Sequence, residues 1–160
     1  MMLYFCEVIL PEEKIRLYQH CQQLLEQRMA NNQKAMLDAQ ESANNEEKSS
    51  AGDKYETGRA MSQIARDMSA KQLQTAKIDY ADLMNIDTNI PHKTVQKGAL
   101  VKTKNGQYIF IAASIGLIDF EDKKIAVVSN KAPIALALLN KKIGDEVLIA
   151  QKKDFIEAIA

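Results

Sequence analysis

Two acidic residues, Asp53 and Glu56, have a spacing in this 160-residue sequence that could support chemistry. They lie in residues 49–58, a segment rich in small and turn-forming residues, and Gly52 could supply the positive φ that a chain reversal often needs. One interpretation is a capping box, in which Asp53 caps a helix and Glu56 reaches back to it. The other is a pair of exposed carboxylates that offer oxygen ligands to a metal ion or bind a cationic partner. The spacing alone favours the cap and is compatible with both.

Helical periodicity on both sides of this segment predicts the elements that position the two acids. Pro11-Glu12-Glu13 is typical of a helix start, and the role of residues 1–10 before it stays undecided. We expect a seam with steps of three and four residues along the first helix: Ile15, Tyr18, Gln22, Leu25, Met29, Asn32, Met36, Ala39 and Ala43.

The second helix is predicted from about Asp53 to about Asn85. Its seam would comprise Met61, Ile64 and Met68, then Leu73, Ala76, Tyr80 and Leu83. The five-residue step from Met68 to Leu73 predicts a slip in the seam, so the pair should not be a regular coiled coil throughout. We therefore predict an antiparallel helical hairpin over residues 1–90 with its acidic tip near residues 46–58. A homodimeric coiled coil remains the alternative.

Residues 91–160 change to a two-residue period after a break at 87–91. Asn105-Gly106 is a strong β-hairpin signal, and short strands are expected around it and after Glu121-Asp122 and Gly144-Asp145. Pro133 should open a short helix that ends near Leu139. The predicted fold class is therefore α+β: a helical hairpin followed by a small antiparallel sheet domain with one short helix.

Charge and composition narrow the function classes. Residues 1–90 carry ten basic and fourteen acidic residues, a net charge of −4, whereas residues 91–160 carry eleven and seven, a net charge of +4. Such asymmetry suggests a partner with two faces of different sign. Neither Cys6 and Cys21 nor His20 and His92 have the spacing of a disulfide or metal site. We expect no signal peptide, no membrane contact, a monomer and a cytoplasmic location.

Two stretches resemble Gre-type transcript cleavage factors, the GreA/GreB-like family of bacterial elongation factors. Residues 131–147, KAPIALALLNKKIGDEV, are similar to the Ser-Pro-Leu-Gly, Ala-Leu-Leu-Gly-Lys-Lys and Gly-Asp-Glu-Val runs of their C-terminal domain, and residues 95–101 resemble its first strand. Gly52-Asp53-Lys54-Tyr55-Glu56 fits the Gly-Asp-x-x-Glu motif at the tip of their hairpin. The resemblance implies an FKBP-like C-terminal domain.

By the same resemblance, the hairpin would enter the secondary channel of bacterial RNA polymerase and stimulate cleavage of backtracked RNA. Asp53 and Glu56 would help to hold a Mg²⁺ ion shared with the polymerase, and the chain would have no cofactor in isolation and would not itself be an enzyme. Nucleic acid would be contacted only within the polymerase complex. The C-terminal domain would dock through Lys141, Lys142 and Ile143.

The sequence departs from the family pattern at Ala135 and Asn140, where the family has glycines, and after Glu56. A non-cleaving regulator that enters the same channel is therefore an alternative function. From other classes, the chain could be a helical-hairpin interaction protein or a peptidyl-prolyl isomerase-like module. The isomerase would need an aromatic pocket built from Tyr108, Phe110, Phe120 and Phe155.

Overall fold

A computed structural model describes residues 9–47 and 52–160, and the side chains of residues 9–45 and 56–160. Within these ranges lie the helices α1 (Pro11–Glu47), α2 (Gly52–Met84) and α3 (Pro133–Leu138). The strands are β1 (Leu100–Thr103), β2 (Tyr108–Ile111), β3 (Gly116–Phe120), β4 (Lys123–Val128), β5 (Glu146–Ile149) and β6 (Lys152–Ile159). The predicted α+β class, with two long helices followed by a sheet and one short helix, is confirmed.

The chain forms two compact units. The sheet unit contains the described residues up to Gln22 together with Ala81–Ala160, and the distal hairpin unit is Gln23–Tyr80. The base of both long helices thus belongs to the same unit as the sheet. Whether residues 1–90 and 91–160 act as separate domains stays a prediction.

The distal hairpin unit is a pair of antiparallel helices. Tyr80 of α2 donates a hydrogen bond to Glu26 of α1 (3.2 Å), and farther along Arg66 of α2 donates one to Gln40 of α1 (2.9 Å). Residues nearer the N-terminus of α2 therefore contact residues nearer the C-terminus of α1, as an antiparallel pair requires. The four residues between α1 and α2 lie outside the described residues.

The predicted seam of α1 is confirmed in its distal part and is shifted at the base. Leu25 and Ala43 are buried there, and Met29, Asn32, Met36 and Ala39 are half-buried. At the base, the predicted Ile15, Tyr18 and Gln22 are also half-buried, but the fully buried positions are Lys14, Leu17 and Cys21, which the seam did not include. Leu17 there lines a small cavity with Phe120 and Ile125 of the sheet, so the base of α1 buries the side that faces the strands.

The predicted seam of α2 is wrong in its distal half. Met61, Ile64 and Met68 are 66%, 59% and 59% exposed, whereas Leu73, Ala76 and Leu83 are buried as expected. The less exposed positions between Glu56 and Leu73 are Gly58, Ser62, Arg66, Ser69 and Ala70. All but Ala70 continue the steps of three and four from Leu73 without the predicted slip. Met61 is twelve residues before Leu73, about 120° away around the helix, so a seam that buries Leu73 leaves the Met61 side exposed.

The sheet has the strand order β3-β4-β2-β1-β6-β5. The sheet is antiparallel as predicted with one exception: β2 and β4 pair in parallel, while all other neighbouring strands are antiparallel. Residues 112–115 lead from β2 to β3, which does not pair with β2. The tight β3–β4 turn then places β4 between β3 and β2. Ala112 and Ile115 donate backbone hydrogen bonds to Val128 and Val127, which ties residues 112–115 to β4.

The core of the sheet unit lies between α3 and one face of the sheet. Val101, Ile109, Ile111 and Ile156 of the strands meet Leu138 of α3, and all are almost fully buried. Pro133 occupies the first turn of α3, as predicted, and the turn between β1 and β2 falls at Asn105-Gly106. Burial of large apolar side chains on one face is the main force that holds such a layer together.

The base of α1 is attached to the β3–β4 turn by polar contacts. The Arg16 guanidinium donates two hydrogen bonds to Glu121 (2.7 and 3.2 Å), which hold the pKa of that carboxyl below its ordinary value. His20 lies 5.3 Å from the Phe120 ring, and Lys123 forms a 3.5 Å ion pair with Glu13. Because Arg16 and Glu121 are exposed, their ion pair adds little to the free energy of folding, and its main effect is to fix the position of the β3–β4 turn.

Candidate functional site

The acidic pair lies at the start of α2. Asp53 is the second residue of this helix and Glu56 the fifth, and positions three apart lie on the same side of a helix. Glu56 is exposed, whereas the side chain of Asp53 lies outside the described residues. The helix begins at Gly52, one residue before the predicted start, a difference within the usual uncertainty of helix boundaries. The hydrogen bonds of the predicted capping box also lie outside the described residues.

The chemistry of the pair suits a shared cation. The amino end of a helix carries a partial positive charge, so acidic residues are common in the first turn. Mg²⁺ prefers six oxygen ligands and commonly takes only one or two from protein carboxylates. In residues 9–45 and 56–160, no group of three or more His, Cys, Asp or Glu side chains is placed to hold a metal. Asp53 and Glu56 could thus supply part of a magnesium shell whose other ligands come from water, phosphate or a partner.

The two sides of α2 differ in chemical character. The side that faces α1 carries small and polar residues near the tip, including Ser62 and Ser69. The outer side carries Met61, Ile64 and Met68, and Ile78 lies farther along it with 54% exposure. The hairpin therefore offers an apolar outer side that follows the acidic pair along the helix. From the sequence, Met61, Ile64 and Met68 were predicted to lie in the contact between the two helices.

The predicted docking residues Lys141, Lys142 and Ile143 lie in an ordered, exposed loop between α3 and β5. The Lys141 carbonyl accepts a hydrogen bond from the Val95 backbone (2.9 Å), and the Lys142 backbone donates one to the Asp145 carboxylate (2.8 Å). Ile143 is 61% exposed. Backbone hydrogen bonds at Lys141 and Lys142 thus hold the loop in place, and the side chains of Lys141, Lys142 and Ile143 are exposed.

The loop continues into an exposed face of the β5–β6 pair. Gly144 donates a backbone hydrogen bond to Ile156 (2.8 Å), next to the exposed Phe155. In the strand register Phe155 pairs with Glu146, and Leu148 pairs with Lys153, so these four side chains share one face. Lys104 lies over the Phe155 ring at 5.2 Å. The tertiary structure therefore enlarges the predicted patch with residues that the sequence did not indicate.

The two departures from glycine in the resembling motif fit their places. Asn140 has a φ of 66°, in the left-handed region that asparagine tolerates better than most residues. Its backbone donates a hydrogen bond to Val95 (2.8 Å), so the loop keeps a glycine-like conformation. Ala135 is fully buried in the core beside Leu138. Neither substitution therefore disturbs the loop that carries Lys141 and Lys142.

The aromatic residues considered for an isomerase pocket are dispersed. Phe110 is fully buried and Phe155 is exposed. Tyr108 and Phe120 line a common cavity of only about 10 Å³ together with Leu17 of α1. That volume cannot receive a peptide. The remaining candidate ligands are also apart: Cys21 is buried, which raises the pKa of its thiol to about 12, and Cys6 lies outside the described residues.

Comparison with known proteins gives similarity to solved structures and no sequence match. No protein-family model matches the chain, and no curated protein does so. A solved structure described as that of the transcription factor Gfh1 is similar at 13% identity, over 86% of this chain and 92% of that one, with a TM-score of 0.37. No described helix is long and apolar enough to cross a membrane. An identity and TM-score this low do not by themselves assign the chain to a family.

Proposed function

We propose that this chain is a Gre-like accessory factor of bacterial RNA polymerase that stimulates cleavage of backtracked RNA. The observation that carries the proposal is the position of Gly52-Asp53-x-x-Glu56, which opens the second helix of an antiparallel pair and leaves Glu56 exposed. The motif at residues 131–147 supports it from the other end of the chain. The likeness to a transcription factor agrees with it at a coarse level only and adds no argument.

The hairpin would deliver its tip to a site deep in a partner. The 33 residues of α2 span about 50 Å at 1.5 Å per residue. Asp53 and Glu56 would hold one face of a Mg²⁺ ion whose other ligands belong to the polymerase. When bound, such an ion supplies an activated water and charge stabilisation for phosphodiester hydrolysis. Because the two carboxylates would bind the ion weakly alone, their effect should appear only in the complex.

The sheet unit would hold the factor at the rim of the channel. Lys141, Lys142 and Ile143 combine charge with an exposed apolar side chain on a pinned loop, and Leu148 and Phe155 extend the apolar part. An interface needs apolar side chains at its centre and a charged rim, and this face offers both. We therefore include the exposed β5–β6 face in the proposed docking surface.

The test is RNA cleavage by a stalled, backtracked polymerase with saturating factor. The variant Asp53→Asn/Glu56→Gln keeps capping ability but removes both charges. The chain offers a matched control in Asp38→Asn/Glu41→Gln, an exposed pair with the same spacing on α1. We expect the tip variant to lose at least about 100-fold in cleavage rate and to keep polymerase binding, while the control changes neither.

Each other function predicts a different result. Equal cleavage by wild type and tip variant would remove Asp53 and Glu56 from the mechanism. Polymerase binding without cleavage by the wild type would identify the non-cleaving regulator. Absence of polymerase binding would refute the proposal and leave the helical-hairpin interaction protein, since the isomerase-like module lacks its aromatic pocket.

A further inference from the structure

A cavity of about 390 Å³ lies within the sheet unit and shares no lining residue with the proposed docking surface. The first turn of α1, the segment 88–92 and the end of β6 line it. Its walls are largely apolar, and one basic residue, Lys14, is among the lining residues. The apolar residues that line it include Ile9, Ile15, Ile90 and Ile159. A volume of this size suits a small ligand.

Lys14 is an unusual lysine because it is almost fully buried, with 2% of its surface exposed. Its ammonium group donates a single long hydrogen bond, 3.5 Å to the Ile90 carbonyl oxygen. An ammonium group has three donors, and a buried charge is costly unless it is paired. Within the part of the chain that the structure describes, Lys14 has no ion pair. Burial lowers its pKa to about 8, and the charge of Asp87 only partly offsets this effect.

His92 also lines the cavity and carries no charge there at neutral pH. Burial, and next the charge of Lys14, lower the pKa of His92 below its ordinary value. Its Nε2 atom is buried and has no hydrogen-bond partner in the described part of the chain. Among the described residues that line the cavity, Lys14 is thus the single cationic side chain, and the other side chains there are apolar or neutral. Asp87 is the acidic neighbour of Lys14.

We propose that this cavity binds a small monocarboxylate with an apolar body. A carboxylate would give the Lys14 ammonium the charge-assisted hydrogen bonds that the described residues do not provide. The isoleucine side chains would contact the apolar part of the ligand. One cation matches one negative charge, so a monoanion fits this wall better than a phosphate or a dicarboxylate. The proposal is independent of the function assigned to the tip.

Octanoate is a suitable probe, with octan-1-ol as its neutral counterpart, and calorimetric titration of the full chain measures both. We expect octanoate to bind at pH 7 at least tenfold more tightly than octan-1-ol. Lys14→Met should weaken octanoate binding at least tenfold and leave octan-1-ol binding unchanged. Lys124→Met, an exposed lysine on β4 of the same unit, is the matched control and should bind as wild type does.

The pH dependence gives a second readout. With a pKa of about 8, only about a tenth of free Lys14 stays protonated at pH 9, so octanoate affinity should fall about tenfold from pH 7 to pH 9. His92 is already neutral over this interval. Three results would overturn the proposal: no octanoate binding at millimolar concentration, equal binding of octanoate and octan-1-ol, or full octanoate binding by Lys14→Met.

Discussion

Replacement of Lys14 by methionine should stabilise the protein at neutral pH. Methionine has a similar length and no charge, and Lys14 is 98% buried without an ion pair to a described residue. The lowering of its pKa from 10.5 to about 8 corresponds to about 3 kcal/mol between the folded and unfolded states, at about 1.36 kcal/mol per pKa unit. The variant removes this penalty, so its free energy of unfolding at pH 7 should exceed that of wild type by up to about 3 kcal/mol.

The sign of the pH dependence follows from the lowered pKa. Below pH 8 Lys14 is charged in both states, and the folded state carries the whole penalty. Between pH 8 and 10.5 the folded state loses the proton first, so wild-type stability rises with pH relative to the variant. The advantage of Lys14→Met should therefore shrink to about 1 kcal/mol near pH 10. Loss of the Cys21 thiol proton, which is easier in the unfolded state because burial raises the pKa of Cys21 in the fold, affects both proteins equally.

Urea unfolding of wild type and Lys14→Met, followed by circular dichroism from pH 7 to pH 10, measures this difference. Lys124→Met reports the effect of losing an exposed lysine and should show no pH-dependent difference from wild type. A Lys14→Met protein that is less stable than wild type at pH 7 would refute the reasoning. A difference that stays constant with pH would refute it as well, because the effect would then not come from the buried charge.

Three further predictions concern the hairpin and the docking loop. Leu73→Ala should cost about 2–5 kcal/mol in thermal unfolding of the hairpin, whereas Ile64→Ala on the outer side should stay within about 0.5 kcal/mol; similar losses for both would contradict the observed seam. Asn140→Gly should leave stability within about 1 kcal/mol, while Asn140→Val should be clearly destabilising in a melting experiment, because a β-branched residue resists a φ of 66°. Lys141→Glu/Lys142→Glu should weaken polymerase binding at least tenfold in a salt-dependent way, and an equally strong effect of Lys124→Glu/Lys131→Glu would argue against a specific docking loop.

Local patterns in the sequence were sufficient to predict the helix starts, the β1–β2 turn and the position of the acidic pair. Pro11 and Pro133 mark helix starts because proline fits the first turn, and Asn105-Gly106 marks a hairpin because it tolerates the backbone of a tight turn. The three-residue spacing of Asp53 and Glu56 already places them on one side of α2. These features depend on residues close in the chain, so no partner element has to be known.

Only the tertiary structure decided which sides of the elements are buried. Met61, Ile64 and Met68 have a helical spacing that suits a seam, yet α2 buries Leu73 and Ala76 and leaves these three residues exposed. The parallel pairing of β2 with β4 depends on the path of residues 112–115. The contact of the buried Lys14 with the Ile90 carbonyl joins residues more than seventy positions apart in the chain. Such contacts involve distant residues, and a local period cannot specify the partner.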